Sequence, residues 1–362
     1  MTAPTKIRAL IVDDSSFMRH LLTGMLERSD EIEIAAAAKD GDEGIELAQQ
    51  LKPDVVTMDV LMRGTGGIEA LRQIVARPGA PAVIMVSAVT TKDARATIEA
   101  LEIGAVDFIP KPPPGAGAAE IGAFGDELVR KVRIFGQSSE PRTEETMPPA
   151  KAAIRKPSAC VAIGTSTGGP IALTRLLPNL PSGFPAPLVI AQHMPPGFTS
   201  ALAERLNAIC AFEVCEGTNG MALVPGRAIV APSGKNARLW KDGEAVRLAL
   251  EATEQGALSP SIDTLFASLA AVFGERGSGV LLTGMGDDGV EGLRALRAAG
   301  GLCIGQDRAS SVVYGMPRAA AQAGVLNAVA SLDDLPRLLC QVTGLGVPLQ
   351  RQEGSRPPHP ET

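Results

Sequence analysis

Cys160-Val161-Ala162-Ile163-Gly164-Thr165-Ser166-Thr167-Gly168-Gly169-Pro170 reads as a buried strand that breaks into a glycine-rich turn and restarts as a helix. The apolar, partly β-branched run 160–163 suits a strand of a parallel sheet. Gly164-Thr165-Ser166-Thr167-Gly168 then matches G-x-S-x-G, the pattern of a nucleophile on a tight strand-to-helix turn. Its glycines allow the backbone angles and leave the hydroxyl exposed. Pro170 suits the first turn of a helix over 171–177, whose positive end favours negative charge near Ser166. A glycine-rich turn before a helix also cradles phosphate, so the motif alone leaves both chemistries open.

Two more segments repeat the strand-then-turn design. Leu188-Val189-Ile190-Ala191 runs into Gln192-His193-Met194-Pro195, and Val280-Leu281-Leu282-Thr283 runs into Gly284-Met285-Gly286-Asp287-Asp288-Gly289, ahead of a helix over 290–298. Of three histidines, His20 lies in the first half and His359 near the end, so His193 is the one placed beside Ser166 by this pattern. A Ser, a His and an Asp at strand ends are what hydroxyl-based acyl transfer needs. Spacing does not decide between Asp287 and Asp288, and an acidic residue here also serves as a helix cap. The chain order Ser, His, Asp differs from that of α/β-hydrolases, so the site is a separate solution on a parallel sheet.

Upstream, residues 6–111 alternate strand-like runs (7–12, 32–36, 54–58, 82–86, 105–109) with amphipathic stretches such as 17–28 and 42–51. Five βα units of this size predict a doubly wound α/β fold, with its site outside the carboxyl ends of the strands. Those ends carry Asp13-Asp14, Asp59, Ser87 and Lys111. Three carboxylates in one pocket repel each other unless a hard cation such as Mg²⁺ joins them. With Lys and Ser to stabilise transferred charge, the set points to a phospho-accepting aspartate. One helix over 119–135 follows, with Ile121, Phe124, Leu128, Val132 and Phe135 on one face. The division expected is a domain over 6–135, a proline-rich linker over 136–157, a second α/β domain with a parallel sheet over 158–345, and a flexible tail over 346–362.

Composition narrows the class. The 362 residues are 45% hydrophobic, enough for two cores, and the net charge of −6 argues against nucleic acid or an anionic membrane surface as partner. No basic recognition helix is present. No apolar run reaches the ~18 residues of a membrane span, and residues 1–6 lack a signal-peptide h-region, so no membrane insertion and a cytoplasmic location are expected. Cys160, Cys210, Cys215, Cys303 and Cys340 show no CxxC pairing and read as mostly buried free thiols.

The first half resembles the receiver domain of bacterial response regulators over its whole length. That resemblance implies Asp59 as the phosphorylated residue, Asp13 and Asp14 with Asp59 as Mg²⁺ ligands, Ser87 and Lys111 as switch residues, and Phe108 at the aromatic switch position. It departs from the family at Met62-Arg63-Gly64-Thr65-Gly66-Gly67, where Arg63 replaces a usual Pro and Gly66 a usual Asp. Residues 159–342 resemble the catalytic domain of chemotaxis protein-glutamate methylesterases. The segments that carry this are 163–170, 191–198, Ser259-Pro260-Ser261-Ile262-Asp263-Thr264-Leu265-Phe266, 281–289 and Gly315-Met316-Pro317, with Ser259 standing where the family has Arg. The resemblance implies a triad of Ser166, His193 and Asp288, with Thr167 and the Met285 amide lining the oxyanion site and no cofactor for ester hydrolysis. It further implies methyl-accepting chemoreceptors as substrate, deamidation of receptor glutamines, a chemotaxis histidine kinase as phosphodonor, and a receiver that covers the catalytic cleft until phosphorylated.

Overall fold

The computed structural model describes residues 6–88, 90–137, 156–253 and 259–345. Most of the expected linker (138–155) and all of the expected tail (346–362) lie outside the described residues.

The first unit alternates β1 (Ile7–Val12), α1 (Ser16–Leu26), β2 (Ile32–Ala38), α2 (Gly41–Leu51), β3 (Val55–Asp59), α3 (Gly67–Val75), β4 (Ala82–Ser87), α4 (Thr91–Ile103), β5 (Asp107–Pro110) and α5 (Ala118–Gly136). Its five strands pair in parallel in the order β2-β1-β3-β4-β5. The order reverses between β1 and β3, which opens the crevice where Asp13 and Asp59 meet. Local chemistry starts the helices: the side chains of Ser15, Asp40 and Thr90 accept from the amides of Met18, Glu43 and Asp93. The departing loop is close-packed at one point. A Cβ on Gly67 would lie 1.8 Å from the Asp59 carbonyl oxygen, whereas Gly66 faces open space. Gly66 occupies the N-cap of α3 without a side-chain hydrogen bond, the local consequence of lacking the usual Asp.

The second unit contains β6 (Cys160–Thr165), α6 (Gly169–Leu176), β7 (Leu188–Gln192), α7 (Phe198–Ile209), β8 (Glu213–Glu216), β9 (Arg227–Val230), β10 (Lys235–Asp242), β11 (Ala245–Ala252), α8 (Ile262–Phe273), β12 (Gly277–Leu281), α9 (Val290–Ala298), β13 (Leu302–Gln306), α10 (Met316–Gln322), β14 (Ala328–Ala330) and α11 (Leu335–Val342). Seven strands form a parallel sheet in the order β14-β13-β12-β6-β7-β9-β8, and β10 and β11 form a separate antiparallel hairpin. β6, β7 and β12 are buried at every residue, as strands covered by helices on both faces must be. The third strand differs from the expected 280–283 run. It starts at Gly277 and stops at Leu281, because the Thr283 amide leaves the ladder for the Gln306 side chain at 2.8 Å. The hairpin and the short strands β8 and β9 were not separately anticipated.

All five cysteines are free, and three are buried. Among the described residues no helix is long and apolar enough to cross a membrane.

The two units pack together through α4 against α6 and α7. Phe108 of β5 stacks on Phe198 at the start of α7, with ring centroids 4.8 Å apart and planes 15° apart. Arg95 pairs with Glu204 at 2.9 Å, and Glu102 pairs with Arg205, so α4 and α7 exchange charges in both directions. Arg130 of α5 reaches the Met285 sulfur.

Because Gly67 touches backbone and Gly66 touches nothing, Gly67→Ala should destabilise the first unit by about 1–3 kcal/mol, while Gly66→Asp should change it by only a few tenths. Urea unfolding followed by circular dichroism checks both values; equal effects would contradict this packing.

Candidate active site and phosphoacceptor pocket

β12, β6 and β7 lie side by side at the centre of the larger sheet, and the strand order reverses around β6. The loops after these strands therefore open into one crevice. Ser166 follows β6 directly, His193 follows β7, and Asp288 lies in the loop between β12 and α9.

Asp288 is the most constrained of the three. Its Oδ2 lies 2.8 Å from His193 Nε2 and accepts from the Ile262 amide at 2.9 Å, while Oδ1 accepts from the Asp263 amide at 2.9 Å. Burial pushes this carboxyl up, but His193 and the two amides outweigh it and hold it below the usual carboxylate range. An ionised Asp288 only accepts, so His193 Nε2 is the donor of this bond and Nδ1 is the ring nitrogen left free of Asp288. The His193 side chain is 7% exposed and that of Asp288 16%. Asp287, its neighbour, is exposed. The side chain of Asp263 accepts from the amides of Gly289 at 2.9 Å and Gly292 at 2.7 Å, which secures the loop from its far side.

Ser166 is partly exposed. Its amide donates to the Thr283 carbonyl at 3.0 Å, and its carbonyl accepts from Gly169 at 2.8 Å and from Gln192 Nε2 at 2.9 Å. The third loop presses against it, since a Cβ on Gly284 would come within 2.8 Å of Ser166 Cβ. Among the described residues no hydrogen bond joins the Ser166 hydroxyl to His193; the structure brings the loops together without closing that contact. Thr167 is buried, and its carbonyl accepts from the Thr283 hydroxyl at 2.9 Å. Met285 is 41% exposed, with its sulfur turned to Arg130.

The smaller sheet gathers Asp13, Asp14 and Asp59, with ligand oxygens within 4.8 Å of one another. Lys111 Nζ lies 2.9 Å from Asp13 Oδ2 and 2.8 Å from Asp59 Oδ2. Burial pushes the Asp59 carboxyl up to about 6 against the pull of Lys111, with the Asp13 charge adding to the rise. Burial lowers Lys111, but its bonds to both carboxylates overcome this and leave it above the usual range. An all-oxygen, acidic set of this kind suits a hard divalent cation. Ser87 accepts from Thr97 at 2.9 Å and donates to the Ala88 carbonyl at 3.2 Å, so its hydroxyl is turned into α4. Phe108 is 5% exposed inside the stack with Phe198, and Lys131 Nζ holds its carbonyl at 2.7 Å.

Several supporting residues carried no role in the sequence reading: Gln192, Thr283, Gln306, Asp263 and Phe198. The two glutamines had a signal, for each ends an otherwise apolar strand (Leu-Val-Ile-Ala-Gln, Leu-Cys-Ile-Gly-Gln). A polar side chain buried there must bond to something in the adjoining loop.

The CheB methylesterase family matches residues 161–339, and the response regulator receiver domain family matches residues 9–116. A protein-glutamate methylesterase/protein-glutamine glutaminase of Koribacter versatilis is 41% identical over 92% of this chain and 96% of its own length. One from Myxococcus xanthus is 42% identical over 94% and 99%. The crystal structure of the Thermotoga maritima CheB methylesterase catalytic domain superposes with a TM-score of 0.50 at 35% identity, covering 51% of this chain and 98% of that one.

A protonated Asp59 is a poor cation ligand. Ionisation near pH 6 should therefore weaken any Mg²⁺ binding at these carboxylates roughly tenfold at pH 5 relative to pH 7.5. The sign for stability is the reverse: with a native value raised from 3.8 to about 6, the cation-free protein binds the extra proton and loses stability as pH rises through that window. Calorimetric Mg²⁺ titration at the two pH values checks the first expectation, and an unchanged affinity would refute it. With an N-terminal receiver domain and a catalytic domain matched in sequence over nearly their full lengths, this chain belongs to the CheB methylesterase family of hydrolases.

Proposed function

We propose that this protein is a phosphorylation-gated esterase that hydrolyses glutamate γ-methyl esters on methyl-accepting chemoreceptors, releases methanol, and deamidates receptor glutamines at the same centre. The observation that carries this reading is the Asp288 carboxylate, fixed by two backbone amides and bonded to His193 beside a serine on the neighbouring strand end. In this reading Ser166 is the nucleophile. His193 Nδ1 takes the Ser166 proton while Asp288 holds the ring and stabilises the imidazolium. The hydroxyl oxygen attacks the γ-carbonyl, and the oxyanion is met at Thr167 and the Met285 amide. His193 returns the proton to the departing methoxide, and water, activated in the same way, releases free glutamate. No cofactor enters these steps. The methyl group is too small to need a deep pocket, so selectivity resides in docking on the receptor. The setting is cytoplasmic, and nucleic acid and membrane insertion play no part.

Asp59 is the phosphoacceptor in this reading, with Asp13 and Asp14 helping to hold Mg²⁺ and a chemotaxis histidine kinase donating the phosphoryl group. Held by Asp13, Asp14 and Asp59, Mg²⁺ would supply positive charge that offsets the negative charge of the phosphoryl group during transfer. A phosphoryl group on Asp59 draws the Ser87 hydroxyl and Lys111 toward it. Ser87 then leaves Thr97, whose helix α4 carries the charges paired with α7. The magnitudes favour a releasable contact: an aromatic stack contributes about 0.5–1.5 kcal/mol and an exposed ion pair about 0–1. Interactions of that size are within reach of one phosphorylation event.

Methanol release from methylated receptor membranes tests the reading. Ser166→Ala should abolish release, and Asp288→Asn should lower it by roughly 10⁴, the scale of losing the triad acid. A small phosphodonor should raise the wild-type rate and leave Asp59→Asn unchanged. Release that ignores the phosphodonor would remove the gate; release that survives Ser166→Ala would remove the mechanism.

A further inference from the structure

Gln192 is buried at the end of β7, 1% exposed, and among the described residues its Oε1 has no hydrogen-bond partner. That oxygen is aimed at Gly169, where a Cβ would lie 2.0 Å from it. An orphaned buried acceptor is a cost that a methionine or leucine of similar shape would avoid. The compensation lies at the other end of the amide. Nε2 donates to the Ser166 carbonyl at 2.9 Å and to the His193 carbonyl at 3.0 Å. Both protons of one amide group are thus spent on the backbones of the two residues between which the reaction's proton must move.

The main-chain bonds do not replace this link. The β6–β7 ladder pairs Thr165 with Gln192, and its last bond runs from the His193 amide to the Thr165 carbonyl at 3.0 Å. Beyond that point the chains diverge into α6 and into the loop that leads to α7. The Ser166 carbonyl also accepts from Gly169, but that bond lies within its own turn and says nothing about His193. Among the described residues, Gln192 is the side chain whose hydrogen bonds tie the Ser166 turn to the His193 loop directly.

We propose that Gln192 is a positioning residue that sets the separation and angle between the Ser166 hydroxyl and the His193 ring. The proposal rests on the Ser–His–Asp reading above and adds its geometric control. The side chain must be an amide: a carboxylate would turn two acceptors toward two carbonyls, and an apolar isostere would leave the His193 carbonyl unpaired. It must also have this length, since both carbonyls are reached from one nitrogen. Misplacement of a reacting group by about 1 Å costs up to roughly a hundredfold in rate, and a preorganised site depends on supports of this kind.

The test uses the full chain with a small phosphodonor, methylated receptor membranes, and burst titration by an activated aryl ester to count working sites. Gln192→Met should lower kcat per titrated site by roughly ten- to hundredfold with KM within about twofold of wild type. Its melting temperature should stay within a few degrees. Gln192→Asn keeps the amide but is one methylene short, so it should also lose at least about fivefold per site, and it serves as the readout if the Met variant does not fold. Wild-type kcat per titrated site in either folded variant overturns the proposal, even if fewer sites titrate, because that is a purely structural role. Ser166→Ala run alongside separates the layers: turnover surviving in it refutes the triad reading and this proposal with it, while its loss beside unaltered Gln192 variants refutes this proposal alone.

Discussion

Three parallel strands stop at one edge, and every backbone group just past that edge must find a hydrogen-bond partner with no ladder to supply it. The rest of the catalytic unit depends on how this is met. Thr283 donates its hydroxyl to the Thr167 carbonyl and receives the Val313 amide at 2.9 Å, and its own carbonyl takes the Ser166 amide. Gln306 accepts the Thr283 amide, and Gln192 holds the Ser166 and His193 carbonyls. Asp288 accepts the Asp263 amide, and the Asp263 side chain accepts the Gly289 amide, which ties the start of α8 to the loop before α9. Each loop is thereby fixed by its neighbours rather than by its own sequence. A rigid setting of this kind is what a proton transfer between two side chains requires.

Much of this arrangement was readable before any coordinates. Parallel strands are nearly uniformly apolar, so the runs ending at Val12, Met58, Ile163 and Ala191 marked themselves, and polar residues just after them marked the site. The alternation of strand and helix then dictated which ends would meet. The supporting lattice was far less legible. Thr283 belongs to the apolar run by position, and only its partners show that the strand has already ended at Leu281. Asp263 reads as an ordinary acidic residue in the first turn of a helix, and its bonds to Gly289 and Gly292 depend on the start of α9, 26 to 29 positions away. The stack of Phe108 on Phe198 joins residues of different domains, a contact that no local periodicity encodes.

The departure at Arg63 and Gly66 bears less weight than the motif suggests. Gly66 forgoes a cap worth only a few tenths of a kcal/mol relative to glycine, while the position that must be glycine, Gly67 against the Asp59 carbonyl, is glycine. Asp59, Asp13 and Lys111 remain in direct contact. The carboxylates and the lysine are therefore gathered beneath the altered loop.

In the proposed reading, Phe108 and α4 transmit the state of that pocket to a helix that begins five residues after His193. The rate at which a small fluorophosphonate labels Ser166, mapped by mass spectrometry, tests this most directly. With Mg²⁺ and beryllofluoride the label should fall on Ser166 several-fold faster than without them, and Phe108→Ala should show the fast rate unaided. Labelling elsewhere in the chain, or a Ser166 rate indifferent to both changes, would contradict the account.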